Sequence, residues 1–306
     1  MDSKQMTYIL TIAEEGGITK AAGKLFITQS ALDQQLLKLE NELGTQLFYR
    51  ARNNFSLTAA GKVYVEYAKK MVALKNEAYR IIHDLADRQR GTLSVAFAPE
   101  RGMEMFLSVY PSFYDTYPEI NVVPREIGVR RQLEMLQSDE LDLGFLSMKE
   151  EVIPGLVCTT LLREEFVLIA PLSHPLSKLA APDGAPLTVL ESGMLRELTF
   201  CLMYRESTQR DVIDPLFEKN GFKPNLFLET ASNRANVSMV RKGLCCSIVP
   251  YFYVKHIPDI ALFRLDLRPA WSMSVCYRRN RYLSKAEQHF IQLAEAYFQR
   301  ETDNPI

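Results

Sequence analysis

Through residues 1–61 apolar positions recur at helical spacing in three separate runs. The first run places Met6, Ile9, Leu10, Ile12 and Ala13 on one face near a 3.6-residue period, and Gly16-Gly17 ends it. Thr19 then stands as cap of a second, short helix whose Ala21, Ala22 and Leu25 let two helices cross closely. Phe26-Ile27 is expected to form the turn and plug the core. Thr28 is expected to cap a third helix, its hydroxyl accepting from N–H groups that have no partner within the helix. That helix has two faces. Leu32, Leu36, Leu39 and Leu43 form an apolar stripe, and Ser30, Gln34, Lys38 and Asn41 a polar one. Leu47 to Leu57 follows as a short basic hairpin, with Leu47, Phe48 and Phe55 as anchors and Arg50, Arg52, Asn53 and Asn54 at the tip.

This layout is a winged helix-turn-helix, which sets one helix in a DNA major groove and a basic loop on the backbone beside it. The DNA-contacting candidates are Thr28, Gln29, Ser30, Asp33, Gln34 and Lys38 on the helix, with Arg50, Arg52 and Asn53 in the wing. Gln can bond adenine bidentately, Asp can accept from cytosine N4, and wing Arg can grip phosphate or enter a minor groove. A plain solvated face on a small helical bundle is the bland alternative, and the wing argues against it.

Thr58 should start a long helix with no proline before about Arg90. Tyr67, Met71, Leu74, Ala78, Ile81 and Leu85 fall on it at coiled-coil spacing. A lone helix cannot bury that seam, so a partner helix is expected; packing on its own domain is the alternative.

From Thr92 the period changes to alternating strands and helices. Strands are expected at 93–98, 120–126 and 141–147, with helices at 103–114 and 130–137 between them. This βαβαβ order predicts a mostly parallel sheet covered on both faces. A second such unit should hold strands at 166–170, 198–203, 226–229 and 245–249 and helices at 211–220 and 233–242. Strand 273–277 and helix 284–300 return to the first. Chain crossings near 163–168 and 261–268 would make a hinge, and hinged α/β lobes bind small ligands at the carboxyl ends of their strands. The expected fold class is therefore α/β, with an N-terminal winged helix-turn-helix, a linker helix and a C-terminal two-lobed domain. Its boundaries are 1–61, 62–90 and 91–306, with lobe I at about 91–164 and 268–306 and lobe II at about 165–267. The cleft candidates are Pro99, Glu100 and Arg101 after the first strand and Ser147 after the third. Arg205, Ser207, Thr208, Thr230 and Ser232 face them from lobe II, where helix starts favour anions.

Composition changes the picture little. Apolar residues make up 47% of the chain and charged ones 24%, ordinary for a globular protein. Residues 1–90 carry 13 Lys/Arg against 10 Asp/Glu and the remainder 23 against 27, so the positive excess lies in the DNA-binding segment. No apolar run reaches the roughly 18 residues of a membrane span, and the start of the chain has no signal-peptide pattern, so a cytoplasmic protein is expected. Five cysteines, Cys158, Cys201, Cys245, Cys246 and Cys276, lack a regular spacing and are expected as buried, reduced thiols. No nucleophile elbow, phosphate loop or metal-ligand cluster is present, and His83, His174, His256 and His289 are scattered, so no enzyme and no cofactor is expected.

The stretch AEEGGITKAAGKLFITQSALDQQLLKLENELGTQLFYR, closed by Leu57-Thr58-Ala59-Ala60-Gly61, resembles the signature of LysR-type transcriptional regulators. Ile153-Pro154-Gly155-Leu156, Ser173-His174-Pro175-Leu176 and Val240…Gly243…Ile248-Val249-Pro250 resemble recurrent motifs of that family's effector domain, a fold similar to periplasmic binding proteins. The resemblance implies antiparallel pairing of linker helices and a ligand, often a small carboxylate or aromatic, between the lobes. The implied partners are double-stranded promoter DNA, a small-molecule effector, further copies of the chain in a dimer or tetramer, and RNA polymerase, with no membrane.

Departures from the family pattern matter. Asp33-Gln34 stand where Ser followed by Arg or Lys is usual, Gly17-Ile18 where Ser and Phe are common, and Cys245 where Gly is frequent. Asp33 puts a negative charge toward phosphates, so altered base preference or a ligand-binding protein with weakened DNA binding is one alternative. Charged Glu100 and Arg101 replace small Ser/Thr, through a ligand with a positive group or through a surface ion pair. A second alternative is a cysteine-based redox-sensing regulator built on Cys201, Cys245 or Cys246.

Overall fold

The computed structural model describes residues 2–51, 54–86, 90–149, 152–182 and 184–301. The chain divides into two compact units, one of residues 1–89, 137–141 and 280–284 and one of the remainder.

In the first unit α1 (Ser3–Glu15) is capped by Asp2 and closed by Gly16 at φ 63°. There a residue without Cβ takes the left-handed turn at no steric cost. Its Met6, Ile9 and Ile12 are buried. Helix α2 (Ile18–Lys24) is capped at Gly17, two residues before the expected Thr19. Thr19 therefore lies inside the helix, and its hydroxyl donates to Gln29 Oε1 at 3.0 Å. The turn also differs from expectation. Phe26 takes φ 55° and is 95% exposed, because the left-handed backbone turns its ring outward. Ile27 alone packs on the core.

Helix α3 (Gln29–Leu43) is capped by Thr28, whose Oγ1 accepts from Ala31 N–H at 3.2 Å. Leu32, Leu36 and Leu39 are buried as the stripe predicts, while Leu43 at the last turn is exposed. Strands β1 (Phe48–Ala51) and β2 (Asn54–Leu57) pair antiparallel as the wing. The Phe48 and Phe55 rings stack 5.0 Å apart. Helix α4 (Ala59–Leu85) starts at Thr58, which accepts from Gly61 N–H at 3.0 Å. Gly61 sits so close to the wing that a Cβ there would lie 2.0 Å from the Leu47 carbonyl oxygen.

The second unit begins with β3 (Gly91–Phe97), α5 (Arg101–Thr116), β4 (Ile120–Glu126), α6 (Val129–Gln137) and β5 (Leu143–Met148), the expected βαβαβ. Strands β4, β3 and β5 are parallel. Next comes β6 (Leu156–Pro171), followed by β7 (Val189–Leu190), β8 (Thr199–Met203), α7 (Thr208–Lys219), β9 (Asn225–Thr230) and α8 (Asn233–Arg241). The chain closes with β10 (Ser247–Pro250), β11 (Ile260–Leu265), β12 (Ala270–Arg278) and α9 (Lys285–Glu301).

Long strand β6 organises both lobes. Its first part, residues 156–165, pairs antiparallel with β12 beside β5. Its last part, residues 166–171, pairs antiparallel with β10 and β11. The second lobe is therefore not a copy of the first. Its parallel pairs are β8–β9 and the short β11–β7, and its centre is antiparallel because β6 enters from the first lobe in a fixed direction. Phe166, Leu168, Phe200, Ile213, Phe217 and Phe263 fill one of its cores. The opposite face of the same strands buries Val167, Ile169, Cys201, Val237, Val240 and Cys245.

The cysteines do not all remain thiols. Cys158 on β6 and Cys276 on β12 are register partners, with Cα atoms 4.2 Å apart, and form a disulfide. Their 118-residue separation hides the pairing in the sequence. Cys201, Cys245 and Cys246 are free and buried, as expected.

Candidate DNA-binding and ligand-binding sites

The polar face of α3 is open. Thr28, Gln29, Ser30, Gln34 and Lys38 are exposed, so the donors and acceptors expected to meet base edges stand together on one side. Asp33 is half-buried and does not simply face outward. Its carboxylate takes Arg50 Nη1 at 3.0 Å, while Arg50 Nη2 reaches Glu40 at 3.0 Å. Glu40, buried near the end of α3, also accepts from Leu47 and Phe48 N–H at 2.7 and 3.3 Å. One cation from β1 is thus held by two carboxylates of α3, and the wing is locked to the recognition helix. No local pattern points to Glu40: only the turn after Gly44 brings the wing backbone to it. Arg52 and Asn53 lie outside the described residues.

On α4 the early residues Tyr64, Val65 and Ala68 are buried in the first unit's own core. Beyond them Tyr67, Met71, Leu74, Ala78 and Leu85 are exposed and Ile81 is partly so. Leu74 and Leu85 have 67% and 81% of their surface open, large for leucines at heptad spacing.

Across the second unit the cleft loops converge. After β3 the chain makes a γ-turn of the strained hand at Glu100, φ 65° and ψ −86°, with Arg101 N–H donating to Pro99 O at 3.0 Å. Such a backbone costs roughly 1–3 kcal/mol and is kept only where surrounding contacts hold it. Here Glu100 N–H donates to Glu126 Oε1 at 3.1 Å, and the Glu100 carboxylate receives Ser232 Oγ at 2.5 Å from the other lobe. Ser232 caps α8, and Thr230 binds Asn236 Oδ1 at 2.7 Å beside it. Ser207 caps α7, and Thr208 Oγ1 donates to the Ser147 carbonyl at 2.8 Å, a second tie between lobes. The Ser147 hydroxyl itself turns to Met273 Sδ. Arg130 adds a third tie, to Glu206 O at 3.1 Å and Asp211 at 3.3 Å, and Arg234 a fourth, to Glu104 at 3.3 Å. Pro99 and Arg205 are exposed.

Arg101 behaves differently from its neighbours. It is buried, ion-paired to buried Glu164, and its guanidinium lies 4.1 Å from the Phe252 ring centre. Glu164 also accepts from Trp271 Nε1 at 2.9 Å and Phe252 N–H at 3.2 Å. Glu100 and Arg101 do not form a surface ion pair with each other, because they point to different partners. Tyr253, beside Glu100 and Asn233, has its phenol pushed up by burial and then by the charges of Glu100 and Glu164. The sequence offered no route to Glu164, Phe252 or Tyr253.

His174 accepts from Leu176 N–H at 3.1 Å and caps a short turn, a structural role. Burial raises the Cys201 thiol, takes Cys245 from 9.0 to about 12, and takes Cys246 from 9.0 to about 11. Such thiols stay protonated and unreactive near neutrality. No group of His, Cys, Asp and Glu among the described residues suits a metal ion, and no helix among them is long and apolar enough to cross a membrane.

A winged helix-turn-helix followed by a long helix and a two-lobed α/β domain defines a ligand-controlled DNA-binding regulator. Residues 3–62 match the model of the bacterial regulatory helix-turn-helix proteins of the lysR family, and residues 86–299 match the LysR substrate binding domain. The chain belongs to the LysR family of transcriptional regulators. It is 28% identical to the uncharacterized HTH-type transcriptional regulator YcgK of Bacillus subtilis, over 96% of this chain and 94% of that one. It is 26% identical to a probable RuBisCO transcriptional regulator of Trieres chinensis, over 94% of each. Full-length OxyR from Pseudomonas aeruginosa, in a variant form, matches its fold with TM-score 0.70 at 20% identity, covering 98% of each chain. CbnR bound to its target DNA matches with TM-score 0.62 at 24% identity, covering 97% of this chain and 99% of that one.

Proposed function

We propose that this regulator reads promoter DNA through the exposed polar face of α3, with Gln29, Ser30, Gln34 and Lys38 at base edges and the wing, including Arg52 and Asn53, on phosphate. The exposed face of α3, capped by Thr28 and braced by the wing, carries this reading. The DNA-binding part is residues 1–61, the linker 62–90 and the two-lobed part 91–306. The α4 seam from Tyr67 to Leu85 pairs two copies, which sets two recognition helices at half-sites about 34 Å or a multiple apart. A dimer of such dimers is the expected further assembly.

A small molecule enters between the loops of Pro99, Glu100 and Ser147 and those of Arg205, Ser207, Thr208, Thr230 and Ser232. It shifts the hinge between two states, and with it the spacing of the recognition helices, DNA bending and contact with RNA polymerase. The protein acts in the cytoplasm as a regulator rather than as a catalyst. Support for DNA binding comes from CbnR, solved with its target DNA, which shares the fold.

The test is selection of genomic fragments by the full-length protein at physiological salt. Enrichment of roughly palindromic sites upstream of a few genes is expected. No enrichment, with or without cell extract, would overturn the reading and leave Asp33 and Gln34 as the departures that cost specific binding.

A further inference from the structure

Glu100 is the odd feature of the cleft. It departs from relaxed backbone geometry, yet its side chain is not spent on a neighbouring cation: Arg101 is turned inward to Glu164. The carboxylate instead crosses to lobe II, where Ser232 Oγ donates to it at 2.5 Å. Ser232 simultaneously caps α8 by accepting from Ala235 N–H at 3.2 Å, so its one hydroxyl proton is committed to Glu100. A second carboxylate, Glu126, lies against the same loop at the Glu100 N–H. The Ser232 hydroxyl on lobe II is thus already served by an anion from lobe I, and a further anion would arrive beside two carboxylates.

We propose that Glu100 is the specificity-determining residue of the cleft: an internal carboxylate that fills the place beside Ser232 and Tyr253 where an anionic ligand group would sit. The cleft therefore refuses a simple carboxylate. Its ligand is uncharged or cationic at the end that faces Glu100, and offers hydrogen-bond donors that compete with Ser232. This rests on reading the cleft as the ligand site.

The test uses benzoate, a planar carboxylate, at constant ionic strength with chloride as the control. Full-length wild type, Glu100→Ser, Glu100→Gln and Ser232→Ala are titrated. Trp271 is the only tryptophan of the chain and hydrogen-bonds Glu164, the partner of Arg101, so its emission reports this region. The unfolding temperature is read in parallel. Glu100→Ser is expected to bind benzoate at least about tenfold more tightly than wild type. Glu100→Gln, which removes the charge at nearly constant size, should gain less. Ser232→Ala keeps Glu100 and should stay as unresponsive as wild type.

Equal responses of Glu100→Ser and wild type, including none from either, overturn the proposal. So does a gain in Ser232→Ala as large as that in Glu100→Ser. Should Glu100→Ser not fold, Glu100→Gln carries the comparison, and its equality with wild type is then the overturning result. No DNA is present in the assay, so its failure is distinct from failure to select promoter fragments.

Discussion

Glu164 is the residue whose removal should be felt most in the effector domain, and the structure says by how much. It and Arg101 have side chains only 6% and 4% exposed. Glu164 is acceptor for three donors: the Arg101 guanidinium, the Trp271 indole N–H and the Phe252 backbone N–H. Breaking a buried ion pair from one side leaves the other charge without compensation and costs about 3–5 kcal/mol. Glu164→Gln keeps an acceptor for the indole, so about 3 kcal/mol is expected for it and about 5 for Glu164→Ala, which also strands two N–H groups. In a unit of roughly 200 residues each kcal/mol lowers Tm by about 2–4 °C, giving a fall of about 6–12 °C for the glutamine variant. The assay is thermal unfolding followed by Trp271 emission, which should also shift in the native baseline as the indole loses a charged acceptor. Arg101→Met with Glu164→Leu should recover much of the loss, since replacing both partners by apolar groups removes the stranded charge. A Glu164→Gln protein that melts within about 2 °C of wild type would refute the reasoning.

Four further outcomes follow from other contacts. Asp33→Ser should release one of the two carboxylates on Arg50, tighten DNA binding and steepen its logarithmic salt slope by about one charge; an unchanged slope would mean that Arg50 never reaches phosphate. Gly61→Ala must push α4 off the Leu47 carbonyl, so a loss of at least about 1–3 kcal/mol is expected in chemical denaturation, and a wild-type midpoint would contradict the close approach. Leu74→Glu should dissociate the dimer in sedimentation, because it buries an unpaired carboxylate from each copy in an apolar seam; an unaltered mass would move the dimer interface elsewhere. Cys245 and Cys246 titrate near 12 and 11 when folded but near 9.0 when exposed, so the stability they contribute is complete below pH 9.0 and is lost as pH rises toward 11–12. A Cys245→Ala, Cys246→Ala protein should therefore lose stability less steeply over that window in pH-dependent melts, and identical slopes would show the thiols to be as ionisable folded as unfolded.

What could be read from the chain was whatever local chemistry decides. Thr28 and Thr58 announce helix starts because a side-chain oxygen next to N–H groups without partners acts within a few residues, whereas the helix expected from 211 begins at Thr208, capped by Ser207. Strand β4 was legible to the residue, because a run bounded by turn-forming segments and rich in branched side chains has few other fates. The hidden elements depend on distant partners. The first part of β6 reads LVCTTLLREE, which could serve several structures, and becomes strand only because β12 lies along it. Phe26 looks like core by composition, but a left-handed turn residue points where the backbone sends it. The disulfide needs the register of two strands far apart in sequence.

The charged residues carry the sharper lesson, because their sequence neighbours misdirect. Glu100-Arg101 invites pairing of adjacent opposite charges, and Asp33 invites a reading as plain repulsion toward phosphate. In the fold each of these charges answers to a residue from another element: Glu100 to Ser232, Arg101 to Glu164, Asp33 to Arg50. Coulomb energy depends on distance and dielectric, not on position in the chain, so a buried partner many residues away outweighs an exposed one next door. The cost of Asp33 to DNA binding is then set by competition. Its charge opposes phosphate, but it also holds an arginine that phosphate could claim, so on a DNA backbone the two carboxylates and the phosphates share one guanidinium. That exchange sets how far Asp33 weakens binding, and the salt slope of Asp33→Ser against wild type measures it.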